Sequence, residues 1–86
     1  GMADSTTREA IFAVVKENIL GILDQVDEAT IAETAALKDL GANSLDRAEI
    51  VTGSMEDLGL AFPMRELAGV SNIGELVSFL HSKANG

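Results

Sequence analysis

Cysteine is absent from the chain, and so are tryptophan and tyrosine; three phenylalanines make up the whole aromatic complement. Without thiols there is no disulfide, no thiolate metal site and no cysteine nucleophile. With so few rings there is little surface on which nucleotide bases stack. Bases are scarce as well. Six Lys and Arg residues against fourteen Asp and Glu give a net charge of −8, which disfavours non-specific attraction to nucleic acid or to anionic lipid, because both need a positive surface. Partners with basic surfaces fit better. The apolar runs are only a few residues long, and no basic stretch precedes a hydrophobic one near the N-terminus, so neither a membrane span nor a signal peptide is expected. The expectation is a soluble cytoplasmic domain, probing neither nucleic acid nor membrane.

What is present is 86 residues without an internal repeat. A chain of this size buries somewhat above ~60% of the surface its unfolded form exposes, so its core is thin and encloses no large substrate cavity. One monomeric domain over residues 1–86 is the reading, and its size argues against multistep chemistry by the chain alone. Gly1 before Met2 reads as a protease-cleavage scar and is set aside from the fold.

From Thr6 the pattern turns helical. Ile11, Val15, Ile19, Ile22, Leu23 and Val26 recur at spacings of three and four, with Arg8, Glu9, Lys16 and Glu17 on the other side. Thr6 with Glu9 forms a candidate capping box, and the helix fades near Leu23, where Asp24, Asp27 and Glu28 oppose the negative end of its dipole. From Asp27 to Asn43 the chain mixes acids and alanines around three large apolar anchors, Ile31, Leu37 and Leu40, which predicts a long loop pinned to the core with a short helical turn. Gly41 ends it. Asn43 or Ser44 caps a second helix running to about Leu58, stopped by Gly59 with Pro63 shortly after. A short helix at Met64 to Leu67 follows. Asn72 with Glu75 resembles a capping box for the last helix, whose stripe is Ile73, Leu76, Val77 and Leu80. Strand signals are nearly absent, so the fold class is all-α: a small antiparallel bundle of three main helices plus one short helix.

The second helix carries more apolar surface than a fold requires. With Leu45 at zero and ~100° per residue, Ile50, Val51, Ser54 and Leu58 fall within one arc, the core face. Leu45, Ala48, Thr52 and Met55 gather on the opposite side, with Glu49 and Glu56 beside them. One reading packs Leu45 and Met55 under the long loop; the other makes the stripe a docking surface, where apolar contacts supply binding energy and acids steer a basic partner. Ser44 lies at the edge of this stripe. A serine in a helix's first turn is usually a cap, but the free N–H groups and the positive dipole end there also favour a phosphate ester, by ~0.3–1 kcal/mol at an exposed site.

The run Leu37-Lys38-Asp39-Leu40-Gly41-Ala42-Asn43-Ser44-Leu45-Asp46-Arg47-Ala48-Glu49-Ile50-Val51 resembles the attachment-site signature of acyl carrier proteins, a leucine followed by Leu-Gly-x-Asp-Ser-Leu and an acidic helix. The likeness extends through the first helix, the acidic loop, the Phe62-Pro63 step and the last helix. It implies that Ser44 carries a 4'-phosphopantetheine arm, added from coenzyme A by a phosphopantetheinyl transferase, with acyl groups held as thioesters at its end. It also implies that Leu45, Asp46, Glu49 and Glu56 correspond to positions read by partner enzymes; with Arg47 and with Ala48, Thr52 and Met55 of the same stripe they make up the candidate docking set. Asn43 departs from the family's usual aspartate; it still accepts the cap hydrogen bond but removes one negative charge. Arg47 interrupts the usual acidic run, and Met55 stands where many relatives have an acid.

Within the family, Gly-Ala-Asn-Ser and Asp-Arg-Ala-Glu-Ile look like the words of free-standing carriers in polyketide β-branching cassettes. Such donors pass acetyl to an enzyme resembling 3-hydroxy-3-methylglutaryl (HMG) synthase, after loading through acyltransferase and ketosynthase or decarboxylase enzymes. A general fatty-acid or polyketide carrier is the nearest alternative, and an unmodified acidic interaction bundle is the alternative from another class. A peptidyl carrier fits less well, since those usually have glycine where Ala42 stands. A hydrolase does not fit: Gly41-Ala42-Asn43-Ser44-Leu45 lacks the Gly-x-Ser-x-Gly elbow and its preceding strand, and His81, the one imidazole, sits near the end of the last helix. Asp39, Asn43 and Asp46 lack the spacing of a calcium loop, so no metal is expected.

Overall fold

The computed structural model describes residues 6–86; Gly1, read above as a scar, lies outside them. Helix α1 spans Arg8–Ile22 and is capped by Thr7, whose hydroxyl accepts from the Ala10 N–H at 3.1 Å. The cap expected at Thr6 is therefore one residue later. Two adjacent threonines offer the same hydroxyl, and sequence spacing alone does not choose between them. Ile11, Val15 and Ile19, four apart, make the fully buried stripe. At Leu23 the backbone turns extended while its N–H still donates to the Ile19 carbonyl, and the acidic residues follow as expected.

The long connection contains two 3₁₀ turns, Glu28–Thr30 and Leu37–Leu40, where one had been expected. Ile31 is buried between them, and Leu37 and Leu40 pack half-buried against the core. The connection is also tied by its backbone. The Ile73 and Gly74 N–H groups donate to the carbonyls of Ala35 and Glu33 at 2.9 and 2.8 Å, so the loop satisfies two of the orphan donors at the start of the last helix. Gly41, at φ 97°, ends the second turn in a conformation that L side chains rarely adopt.

Helix α2, Ser44–Leu58, begins with a full capping box: the Asn43 side chain accepts from the Asp46 N–H at 2.7 Å, and the Asp46 carboxylate accepts from the Asn43 N–H at 3.1 Å. It stops at Gly59, which takes φ 68°. Helix α3, Ile73–Asn85, is capped by Asn72, which accepts from the Glu75 N–H at 2.8 Å. The reciprocal half of that box is displaced: the Glu75 carboxylate accepts from the Ser71 N–H and hydroxyl at 2.7 and 2.9 Å. The expected short helix at Met64–Leu67 is a 3₁₀ turn. Phe62 beside it meets Phe79 of α3 edge-to-face at 5.1 Å, and Lys83 lies over both rings while pairing with Glu66 at 2.7 Å.

Helix α1 packs against both α2 and α3. Ile11, Val15, Ile19, Ile50, Ile73, Val77 and Leu80 are fully buried, each worth ~1.5–3 kcal/mol relative to exposure. Ser54 shares that interior without cost in unmet polarity, since its hydroxyl donates to the Ile50 carbonyl at 2.8 Å. The described residues form three α-helices and three 3₁₀ turns with no strand. The helical-bundle expectation holds, and no described helix is long and apolar enough to cross a membrane.

Candidate functional site

Ser44 is the first residue of α2 and is exposed. The capping box consumes the N–H groups of Asn43 and Asp46; those of Ser44 and Leu45, in the first turn, have no carbonyl four residues back within the helix. They stand available to an anion on the serine oxygen. The turn leading into Ser44 is fixed from three directions. The Gly41 N–H donates to the Lys38 carbonyl at 3.1 Å, the Ala42 N–H to the Leu37 carbonyl at 3.2 Å, and the Arg47 guanidinium donates to the carbonyl of buried Ala42 at 2.8 Å.

A groove of about 470 Å³ opens beside the serine. Ser44, Arg47 and Val51 of α2 form one wall, Leu37 and Lys38 of the connection another, and Met64 and Leu67 border it. Phe62 is not part of it; its ring is engaged with Phe79. Lys38 is a charged lining residue that sequence reasoning missed. It belongs to the leucine-glycine run already singled out, but its direction depends on a 3₁₀ turn that the run does not announce.

The outer face of α2 is mostly as anticipated. Leu45 is 65% exposed, Glu49, Thr52 and Glu56 are exposed, and Ala48 is half-buried. Thr52 donates its hydroxyl to the Ala48 carbonyl, which satisfies it within the helix. Asp46 and Arg47 are half-buried and hold the turn. Met55 is a correction: it is only 8% exposed and belongs to the core cluster. On the helical wheel it lies at the flank of the core face, ~100° per residue from its neighbours, and an unbranched, flexible side chain fills the core margin there. The apolar part of the outer stripe is thus Leu45 and Ala48. Among the described residues no cluster of His, Cys, Asp or Glu is arranged to hold a metal ion, and His81 is half-buried, remote in sequence from Ser44.

A protruding serine oxygen at the start of a helix, free amides beside it and a groove alongside are what a phosphate-linked arm requires. The family model of the phosphopantetheine attachment site matches residues 13–80. The chain belongs to the acyl carrier protein family. Its relatives include the polyketide biosynthesis acyl-carrier-protein AcpK of Bacillus subtilis, 45% identical over 88% of this chain and 93% of that protein. The acyl carrier protein of Thermotoga maritima is 37% identical over 90% of this chain and 95% of its own length. Among solved structures, a chain in the curacin biosynthetic pathway HMG synthase in complex with acetyl donor-ACP superposes with a TM-score of 0.83 at 37% identity, covering 91% of this chain and all of that one. This acyl carrier is a carrier and not a catalyst, and its cofactor is phosphopantetheine. When bound, that group supplies a thiol on which acyl chains are held as thioesters. The protein's own residues fix the turn that leads into Ser44 and supply the groove beside it.

Proposed function

We propose that Ser44 bears the 4'-phosphopantetheine arm and that this carrier donates acetyl to an HMG-synthase-like enzyme in a polyketide β-branching cassette. The likeness to a carrier in complex with an HMG synthase is the observation that carries the donor role; the 45% identity to a polyketide carrier agrees with it. Ser44 supports the attachment by its exposure, its first-turn position and its place on the groove. A phosphopantetheinyl transferase is the first partner, acyltransferase and ketosynthase or decarboxylase enzymes load the arm, and the HMG-synthase-like enzyme unloads it. Leu45, Ala48, Glu49, Thr52 and Glu56 form the face these partners share, with Asp46 and Arg47 at its end; the carrier works as a cytoplasmic monomer.

The division of labour follows from the fold. A rigid helix start holds the ester oxygen in place, while the partner supplies all bond chemistry at the far end of the arm. Intact-mass measurement after incubation with coenzyme A and a broad-specificity transferase tests attachment: the parent gains one arm and Ser44→Ala gains none while folding normally. The modified, acetylated protein is then given to an HMG-synthase-like enzyme with a β-ketoacyl acceptor carrier. Acetyl transfer at rates matching a general fatty-acid carrier would reduce the assignment to a general acyl carrier. A parent that never gains mass would leave an unmodified interaction bundle.

A further inference from the structure

The groove beside Ser44 has a charge opposite to that of the molecule. In a chain of net charge −8, its lining contains two bases, Lys38 and Arg47, and no acid. Neither base forms an ion pair among the described residues, whereas Arg8, Lys16 and Lys83 each do. Arg47 stands three residues after Ser44, and positions three apart on a helix have Cβ atoms ~5–6 Å from each other. One of its five N–H donors is committed to the Ala42 carbonyl, which holds the guanidinium at the groove edge with the remaining donors unassigned. Asn43 keeps the cap without adding a charge; Asp46, the nearest acid of the turn, has its carboxylate turned to the Asn43 N–H.

We infer that Arg47, assisted by Lys38 from the facing wall, is a positioning residue that clamps the phosphodiester of the arm on Ser44 and so directs the arm along the groove. This rests on Ser44 being the attachment site. A guanidinium pre-fixed by a backbone carbonyl loses little freedom on gripping a phosphate, and its planar fork matches phosphate oxygens. The first-turn N–H groups of Ser44 and Leu45 complete the set of donors. No covalent step is involved.

The test compares apo and holo protein for each variant, so that the structural part of Arg47, its bond to Ala42, cancels. Thermal midpoints are measured at low and high salt for the parent, Arg47→Gln, Arg47→Lys and Lys38→Gln, together with the phosphorus NMR resonance of each holo form. Attachment should raise the parent's midpoint, and that rise should fall by more than half in Arg47→Gln, fall less in Lys38→Gln, survive in Arg47→Lys and shrink with salt. The phosphorus resonance should move with ionic strength in the parent and stay in place in Arg47→Gln. Equal apo-to-holo rises in the parent and Arg47→Gln at low salt would overturn the clamp. So would a rise confined to protein loaded with a carboxylate-bearing acyl group such as succinyl and absent from the holo and acetyl forms, for then the bases would serve the cargo. A parent that gains no mass with coenzyme A, or a Ser44→Ala variant that does, removes the attachment site itself, a failure the clamp variants do not mimic.

Discussion

Gly53 shows how a single residue's absence of a side chain is used to join two helices. The Asn18 side chain of α1 donates to the Val14 carbonyl at 2.9 Å and to the Asp57 carboxylate of α2 at 3.0 Å, and its amide oxygen lies against the place where a Cβ on Gly53 would stand. Alanine in a helix interior is worth ~1 kcal/mol over glycine. Gly53→Ala would gain that and expel Asn18 from Asp57, losing ~0.5–1.5 kcal/mol of hydrogen bonding. The two effects offset, so in the parent the substitution should change stability little. In an Asn18→Ala background the obstruction is gone, and Gly53→Ala should stabilise by about 1 kcal/mol. Urea unfolding of the four proteins measures the coupling; the same change in both backgrounds would show that Asn18 and Gly53 do not constrain each other.

At the scale of elements, the starts of α2 and α3 were legible to within a residue because asparagine at a cap has a short side chain with one suitable acceptor; Asn43, left open against Ser44 by the sequence, and Asn72 both accept from the N–H three residues on. Asn43→Ala removes this bond and leaves Asp46 without its reciprocal geometry, and should cost ~0.5–2 kcal/mol by thermal unfolding; an unchanged midpoint would mean the cap adds nothing. Thr7, Met55 and the docking of the long connection were not legible, for separate reasons. Thr6 and Thr7 are chemically alike, Met55 sits on the margin between two faces, and the carbonyls of Glu33 and Ala35 that bind α3 belong to the backbone, which every residue shares. The side chains at that junction leave a measurable trace. Glu33 is held below the usual carboxylate range by the hydrogen bond and charge of Arg8, paired at 3.0 Å, and Glu75 by the N–H and hydroxyl of Ser71. A carboxyl whose folded pKa is depressed stabilises the fold above its unfolded value, and that contribution is lost as pH falls through the folded one. Glu33→Gln and Glu75→Gln should therefore be less stable than the parent at pH values above the ordinary carboxylate range and converge on it in more acidic solution, where the parent's carboxyls also become neutral. A stability gap that stays constant into acid would contradict this.

At the scale of the molecule, the described residues have a radius of gyration of 12.2 Å, close to the ~12 Å of an ordinary compact chain of this length, and the groove beside Ser44 opens at the surface. Such a carrier depends on how fast it meets successive partners, and its charge governs that step. A net charge of −8 favours the approach of basic surfaces from a distance, and in the docking role proposed above Glu49 and Glu56, exposed beside Leu45 on α2, would set the orientation at contact. Rim charges act on association, whereas an apolar anchor at the centre acts on dissociation. Glu49→Lys and Glu56→Lys should thus slow association with the proposed HMG-synthase-like partner, and the parent's association rate should itself fall as salt shortens the screening length from ~10 Å at 0.1 M. Leu45→Ala should leave association nearly unchanged and speed dissociation. Because all three residues are exposed, stability should shift by no more than ~0.5 kcal/mol, which separates a docking defect from unfolding. Stopped-flow association and dissociation rates across a salt series decide it: charge-reversed carriers that associate as fast as the parent at low salt would remove the steering role of α2, and a Leu45→Ala carrier with an unaltered dissociation rate would remove the anchor.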